Sequence, residues 1–280
     1  MVLESLAPQV RALGAEVIVG DGHGRGVPDD HGFPDLRVVR RPGASVFQLR
    51  ALAFDETRAD IIAVTEDHCR VAADWCEQVL RAHRAYPDAA AIGGVVHNGA
   101  DGNLWDWASF LISNGTLLPP LPAGARADIS GQANLSYKRW ALPSHVPPHG
   151  YDEPAHKRAL RAAGHTLVTD DRMVAAHVQS LGRLGSCVIH YHNGRATTGF
   201  ASLGFTRAQR LRQGLRRLLL PLRVAHDSAR IVARTVVRKP AHRRVAILAW
   251  PLIMLMLCFH VAGELAGCVR GPGDSPRRVR

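Results

Sequence analysis

Apolar residues along the first two hundred positions recur at two spacings. Val2, Leu3, Leu6, Val10 and Leu13 fall three or four apart, which predicts an amphipathic helix over Met1 to Leu13. Glu16 to Gly20 (EVIVG), Asp35 to Val39 (DLRVV), Ile61 to Val64 (IIAV), Ala89 to His97 (AAAIGGVVH) and Leu167 to His177 (LVTDDRMVAAH) are short apolar runs of buried-strand type. Phe47 to Thr57 reads as a helix, and Asp74 is placed to cap another. Gly150 to Gly164 (GYDEPAHKRALRAAG) is helical too, headed by Asp152 and Glu153 where the helix dipole favours acids. Trp105 to Leu118 is an apolar segment closed by Pro119 to Pro122, and Ile129 to Leu142 runs from small and amide residues into a strand-like pair and a basic helix start. Helix and strand alternate, so the predicted fold class is α/β with a doubly wound sheet. Such a sheet normally opens with a strand before its first helix, whereas this sequence opens inside that helix. Either the start lies upstream or the sheet lacks a member.

Beyond Gly204 the pattern changes. Arg207 to Arg244 interleaves arginines with leucines and valines, as amphipathic helices on a membrane surface do. Val245 to Val269 is 25 residues long, with only His260 and Glu264 ionisable. A span needs about 20 apolar residues, so this run suffices to cross a bilayer, a buried core helix being the alternative. The expected organisation is a domain over 1–203, basic juxtamembrane helices over 204–244, a membrane helix over 245–269 and a basic tail over 270–280.

Charge reinforces that division. Of 35 Lys and Arg, 16 lie from Gly204 onward against three acids (Asp227, Glu264, Asp274), leaving +13 there. The first 203 residues hold 19 basic and 21 acidic side chains, a balance of −2. The basic character therefore belongs to the tail, which argues against nucleic acid as a partner and for an anionic membrane surface. The five cysteines form no CxxC pair and suit reduced thiols in a cytosolic redox state. No signal peptide is expected at residues 1 to 15, which carry Glu4 within an amphipathic pattern. Single-pass attachment to the cell membrane with a cytoplasmic catalytic domain follows as an expectation. Positive flanks on both sides of the apolar run orient it only weakly.

Candidate chemistry gathers where strands end. Glu66, Asp67 and His68 follow the Ile61 to Val64 run at once, and three oxygen and nitrogen donors in a row suit a divalent cation; an acidic turn is the plain alternative. Gly20 to Gly26 (GDGHGRG) also follows a strand, but Pro28, Asp29, Asp30 and His31 come next instead of a helix start. Asp21 in that turn would repel a phosphate and suits a nucleoside base edge or ribose hydroxyl, or simply a turn. His190 and His192 (HYH), read as alternate strand positions, would share a face as a metal pair or a solvated pair. His145 and His149 fall in a proline-rich loop. A metal-dependent hydrolase lacks a paired ligand motif such as HExxH.

Taken together, EVIVGDG, TEDHCRVAADW, SGQANLSYKRWAL, GYDEPAHKRALRAAGH and MVAAH resemble, in order and spacing, a family 2 glycosyltransferase of the nucleotide-diphospho-sugar transferase fold, GT-A. GELAGCVRGPG, Gly263 to Gly273, is similar to a close seen after membrane helices in some of these transferases. The resemblance implies inverting transfer from a nucleotide-diphosphate sugar to a hydroxyl acceptor, a membrane lipid, a lipid-linked sugar or a growing polysaccharide. It implies a divalent metal, Mn²⁺ or Mg²⁺, held by Glu66 and His68 with His177. Asp21, Asp67 and Asn134 are then the expected nucleotide-sugar contacts, and Glu153, with Asp152 second, the catalytic base. Two departures stand out. The usual Asp-x-Asp is Glu66-Asp67-His68 here, and the usual Glu-Asp pair is Asp152-Glu153. The altered triplet and the absent strand also fit a membrane-anchored relative that keeps the fold without turnover.

Overall fold

A computed structural model describes residues 1–24, 32–125, 129, 132–216 and 220–279. Of the sequence-predicted features, Arg25 and Gly26 of the glycine-rich turn, Pro28, Asp29, Asp30 and His31, and Ser130 and Gly131 lie outside the described residues. The chain divides into two compact units, Met1–Gly99 with Thr116–Gln179, and Ala100–Gly115 with Ser180–Arg280.

The first unit is mixed α/β. Helix α1 (Val2–Leu13) is followed by β1 (Val17–Asp21) and β2 (Leu36–Arg40), which pair in parallel. Helix α2 (Val46–Glu56) starts at Ser45 with a capping box, Ser45 and Gln48 each satisfying the other's backbone N–H. Then come β3 (Ile61–Val64), β4 (Cys69–Val71), α3 (Trp75–Ala85) and β5 (Ala89–Asn98). After the excursion into the second unit follow β6 (Gly124–Ala125), β7 (Leu135–Lys138), α5 (Glu153–Ala162) and β8 (Thr166–His177). The larger sheet runs β3-β7-β5-β8-β4, with β6 paired to β8. Strands β5 and β8 are parallel; β3 with β7, β7 with β5 and β8 with β4 are antiparallel.

Strand β5 is central because its first eight residues are small or branched and apolar, and all are buried. Gly94 permits a close approach there, since a Cβ would overlap the Met173 carbonyl and the Asn134 amide. Strands β1 and β2 form their own sheet and are not laddered to β3. What ties them in is the Glu16 carboxylate, which accepts from Thr57 Oγ1 and Arg58 N at 2.8 Å and Ala59 N at 3.1 Å. Val17 and Ile61 pack on one core with Leu6, Val10, Trp75 and Ile92. Among the described residues no strand pairs with both β1 and β3, so the sheet is split at that place.

The second unit is helical: α4 (Leu104–Ser113), α6 (Gly182–Ala201), α7 (Arg207–Arg216), α8 (Leu220–Arg238) and α9 (Arg243–Arg270). Pro240–Arg270 is long and apolar enough to cross a membrane. Helices α6 and α9 meet backbone to backbone, because a Cβ at Gly194 would strike the His260 carbonyl and one at Gly263 the Tyr191 carbonyl. His190 and His192 sit on α6 and not on a strand. Two residues apart on a helix they point to different sides: His190 Nε2 meets Ser109 Oγ at 3.1 Å and His192 Nδ1 meets Ser275 Oγ at 3.0 Å. They form no metal pair.

Candidate active site

The end of β3 and the end of β8 converge. Cys69 pairs with His177 across the β4–β8 ladder, and Val178 N donates to the His68 carbonyl at 2.9 Å, so His68 and His177 face each other. Their Nε2 atoms are 2.9 Å apart, with rings at 87°. Glu66 Oε2 lies 3.2 Å from His68 Nε2 and 3.7 Å from His177 Nε2. Donors bound to one divalent ion at about 2.0–2.2 Å sit roughly 3 to 3.5 Å from one another, and the three edges, 2.9, 3.2 and 3.7 Å, bracket that spacing. Asp67 Oδ1 meets His68 Nδ1 at 2.9 Å, which orients the ring and turns Nε2 inward. The outer carboxylate behind a ligating imidazole is a common metal-site arrangement.

Electrostatics match the geometry. Burial opposes a charge on His68, but its hydrogen bonds to the Asp67 and Glu66 carboxylates and their charges overcome it and raise the imidazole to about 9. Burial, and then the neighbouring His68, push His177 down to about 4. Glu66 stays ionised: burial raises it, and His68, Arg50 and His177 together bring it below its ordinary value. With His68 protonated, His177 neutral and Glu66 ionised, a cation bound between them would displace the Nε2 proton of His68. Cys69 Sγ also lies within 4.8 Å of the Glu66 and His68 donors. Burial first and then the Glu66 charge push that thiol up to about 12, so it stays protonated.

A second set of groups stands beside the first. Arg50, on α2, acts electrostatically on Glu66 and also on Tyr137 and Tyr151. Its Nη1 is buried without a hydrogen-bond partner. Tyr151 Oη donates to Tyr137 Oη at 2.8 Å, and both phenols are raised, mainly by burial. Asp152 caps α5, its Oδ1 accepting from Ala155 N at 3.1 Å, and it is half-buried. Glu153 is 4 % exposed and pairs with Lys157 Nζ at 2.9 Å, while that ammonium also donates to the Ile129 carbonyl. The strand-end donor cluster, the half-buried Arg50 and the acid-headed α5 all belong to the mixed α/β unit. Residues 3–140 match the family model described as glycosyl transferase family 2.

The chain belongs to that glycosyltransferase family. No curated protein matches it. The matched segment contains Asp21, Arg50, Glu66, Asp67, His68 and Asn134, while Asp152, Glu153 and His177 lie beyond it.

The other residues singled out in this transferase fare differently. Asp21 ends β1, and its Oδ1 accepts from His23 N and Gly24 N at 2.9 Å, an Asx turn that shapes the loop. Asn134, an expected nucleotide-sugar contact, sits in the interior as a strap. It is fully buried, its amide donates to the Val95 and Met173 carbonyls at 2.8 Å, and its oxygen accepts from Trp75 Nε1 at 2.8 Å. Both amide protons are spent on joining β5, β8 and α3. Asp74 does not cap α3 with its side chain; it accepts instead from Gln78 Nε2 at 2.9 Å. Arg50 was absent from the sequence expectations. The signal that marks it is an arginine beside Ala51 and four residues before Phe54, on a helix face that packs inward.

Proposed function

We propose that this transferase moves a hexosyl group from a nucleotide-diphosphate sugar to a hydroxyl acceptor by a single inverting displacement, using a divalent cation, Mn²⁺ in preference to Mg²⁺. The observation that carries the reading is the convergence of Glu66, His68 and His177 within 2.9 to 3.7 Å at the carboxyl end of β3. An imidazole-rich donor set suits Mn²⁺ better than Mg²⁺. When bound, the cation would supply charge neutralisation for a departing diphosphate. Arg50 faces the same place and would add a second positive group to hold phosphate oxygens. Asp21 and the exposed oxygen of Asp67 are the remaining nucleotide-side carboxylates.

An inverting displacement requires one carboxylate to take the acceptor proton and no enzyme nucleophile. Glu153 is sealed against Lys157, so Asp152, half-buried at the head of α5, is the better placed of the two. The apolar α9 supports a membrane setting and a lipid-linked or polysaccharide acceptor, as in envelope polysaccharide or glycolipid synthesis. The reading is tested by offering the purified full chain uridine, guanosine and thymidine diphosphate sugars with Mn²⁺. Turnover of at least one is expected; failure to bind or hydrolyse any of them contradicts it.

A second reading has its own support. The Glu153–Lys157 seal and the split between β1 and β3 fit a membrane-anchored protein that binds nucleotide sugar without turnover. Saturable binding in the same panel with no product release favours it.

A further inference from the structure

We propose that α9 lies in the plane of a membrane surface, its outer stripe inserted among anionic lipids, and does not cross the bilayer. The inference rests on the membrane setting proposed above and not on the transfer chemistry. Hydropathy alone expects a crossing, but the neighbours of α9 decide otherwise.

Among the described residues one side of α9 is exposed and apolar. Ile247, Leu248, Met254, Leu255, Cys258 and Phe259 are exposed and recur at helical spacing along that side. The other side is covered along its length by helices that carry charge. Helix α8 folds back antiparallel through residues 240–242. Arg243 Nε donates to the Val236 carbonyl at 2.7 Å near the turn, and Trp250 Nε1 donates to Ser228 Oγ at 3.0 Å further along. Arg223 then reaches Glu264, with Nη2 to Oε1 at 3.0 Å. Helix α7 covers the far end, where Cys268 Sγ approaches the Arg210 carbonyl at 3.4 Å and Gly214 faces Leu265.

These covering helices present solvated charge at the depth a crossing would occupy. On α8, His226, Arg230 and Arg238 are exposed, and on α7 so is Arg212. A crossing would drag them into hydrocarbon, where ionised side chains are strongly disfavoured. An in-plane helix avoids this: the apolar stripe sinks to the acyl boundary while the charged side stays in water. The segment from Gly204 onward carries +13, and Arg243, Arg244 and Arg270 flank the stripe at both ends, which suits a negatively charged headgroup layer.

The test uses the full chain in sealed membrane vesicles. Arg238→Cys and Arg270→Cys are made separately in a Cys258→Ser background and challenged with a membrane-impermeant maleimide. Both positions are expected to label from the same side without permeabilisation; labelling of one only after permeabilisation overturns the proposal. In the unaltered chain, Cys258 is the exposed cysteine among those described. It should react freely without lipid and be protected about tenfold on vesicles of phosphatidylcholine with phosphatidylglycerol. Equal reactivity in both conditions also overturns the proposal. Leu255→Glu should weaken binding to those vesicles about tenfold. None of these readouts depends on sugar transfer, so a failure here and a failure of the transferase reading are distinguishable.

Discussion

The two ring nitrogens of His68 do different jobs. Nδ1 meets Asp67, and Nε2 faces Glu66 and His177. His68→Ala or His177→Ala is expected to cut Mn²⁺-supported turnover by about a hundredfold, whereas Asp67→Asn, which only loosens the imidazole, should cost about tenfold in metal affinity. Titration of Mn²⁺ against each variant checks the order. At the head of α5 the two acids separate in the same way. Asp152→Asn should lower kcat by about 10²-fold or more with little change in melting temperature. Glu153→Gln should instead destabilise the fold by about 3 kcal/mol, because it leaves the Lys157 ammonium buried without its counter-charge. Thermal melts and kinetics on the pair separate base from brace. The positions of Glu66, His68 and His177 are legible in sequence because they stand at the ends of strongly apolar runs. Which acid is accessible is not, since that depends on where Lys157 folds back. Arg50 is equally hidden, because a single arginine in a helix looks like a solvated one until its face is known.

At the scale of elements, Glu16 replaces a missing ladder. Its carboxylate gathers three donors from the α2–β3 junction and pairs with Arg37. Burial alone would raise it; the hydrogen bonds from Arg58, Thr57 and Ala59 and the Arg37 charge together hold it below the ordinary 4.5. A carboxyl depressed in the folded state adds stability above its unfolded value, and that stability is lost as pH falls through the folded one. Glu16→Gln should therefore cost about 2 kcal/mol at neutral pH, and the gap to the parent chain should close as pH drops below about 4.5; denaturant melts across that range measure it. In the second unit, Gly263→Val should destabilise by about 3 kcal/mol, since any Cβ there meets the Tyr191 carbonyl of α6. The principal strands and helices of the first unit were readable from apolar spacing to within a residue or two. Strand β4 was not, because Cys69–Val71 is too short to show a period and is held by pairing with β8. The α6 histidines misled for the opposite reason: HYH alternates like a strand, while the glycines and small residues around it pack as a helix against α9.

For the whole molecule, the family and the mixed α/β fold agree with the sequence reading, and the division of charge follows the division of labour. A nearly neutral α/β unit carries the donor cluster, and an arginine-rich helical unit carries the apolar α9. Hydropathy made α9 legible as a long apolar helix. It did not reveal the charged helices packed along one side, because that requires knowing the α8–α9 hairpin. The central claim is that Glu66, His68 and His177 together form the cation site on which nucleotide-sugar turnover depends. The most direct measurement is electron paramagnetic resonance of Mn²⁺ titrated into the full chain with a nucleoside diphosphate present, alongside turnover at each Mn²⁺ level. Stoichiometric binding with imidazole nitrogen coupling, lost together with turnover in His177→Ala, is the expected result. Turnover that persists in the presence of a chelator, or Mn²⁺ binding unchanged in both His68→Ala and His177→Ala, would contradict the claim.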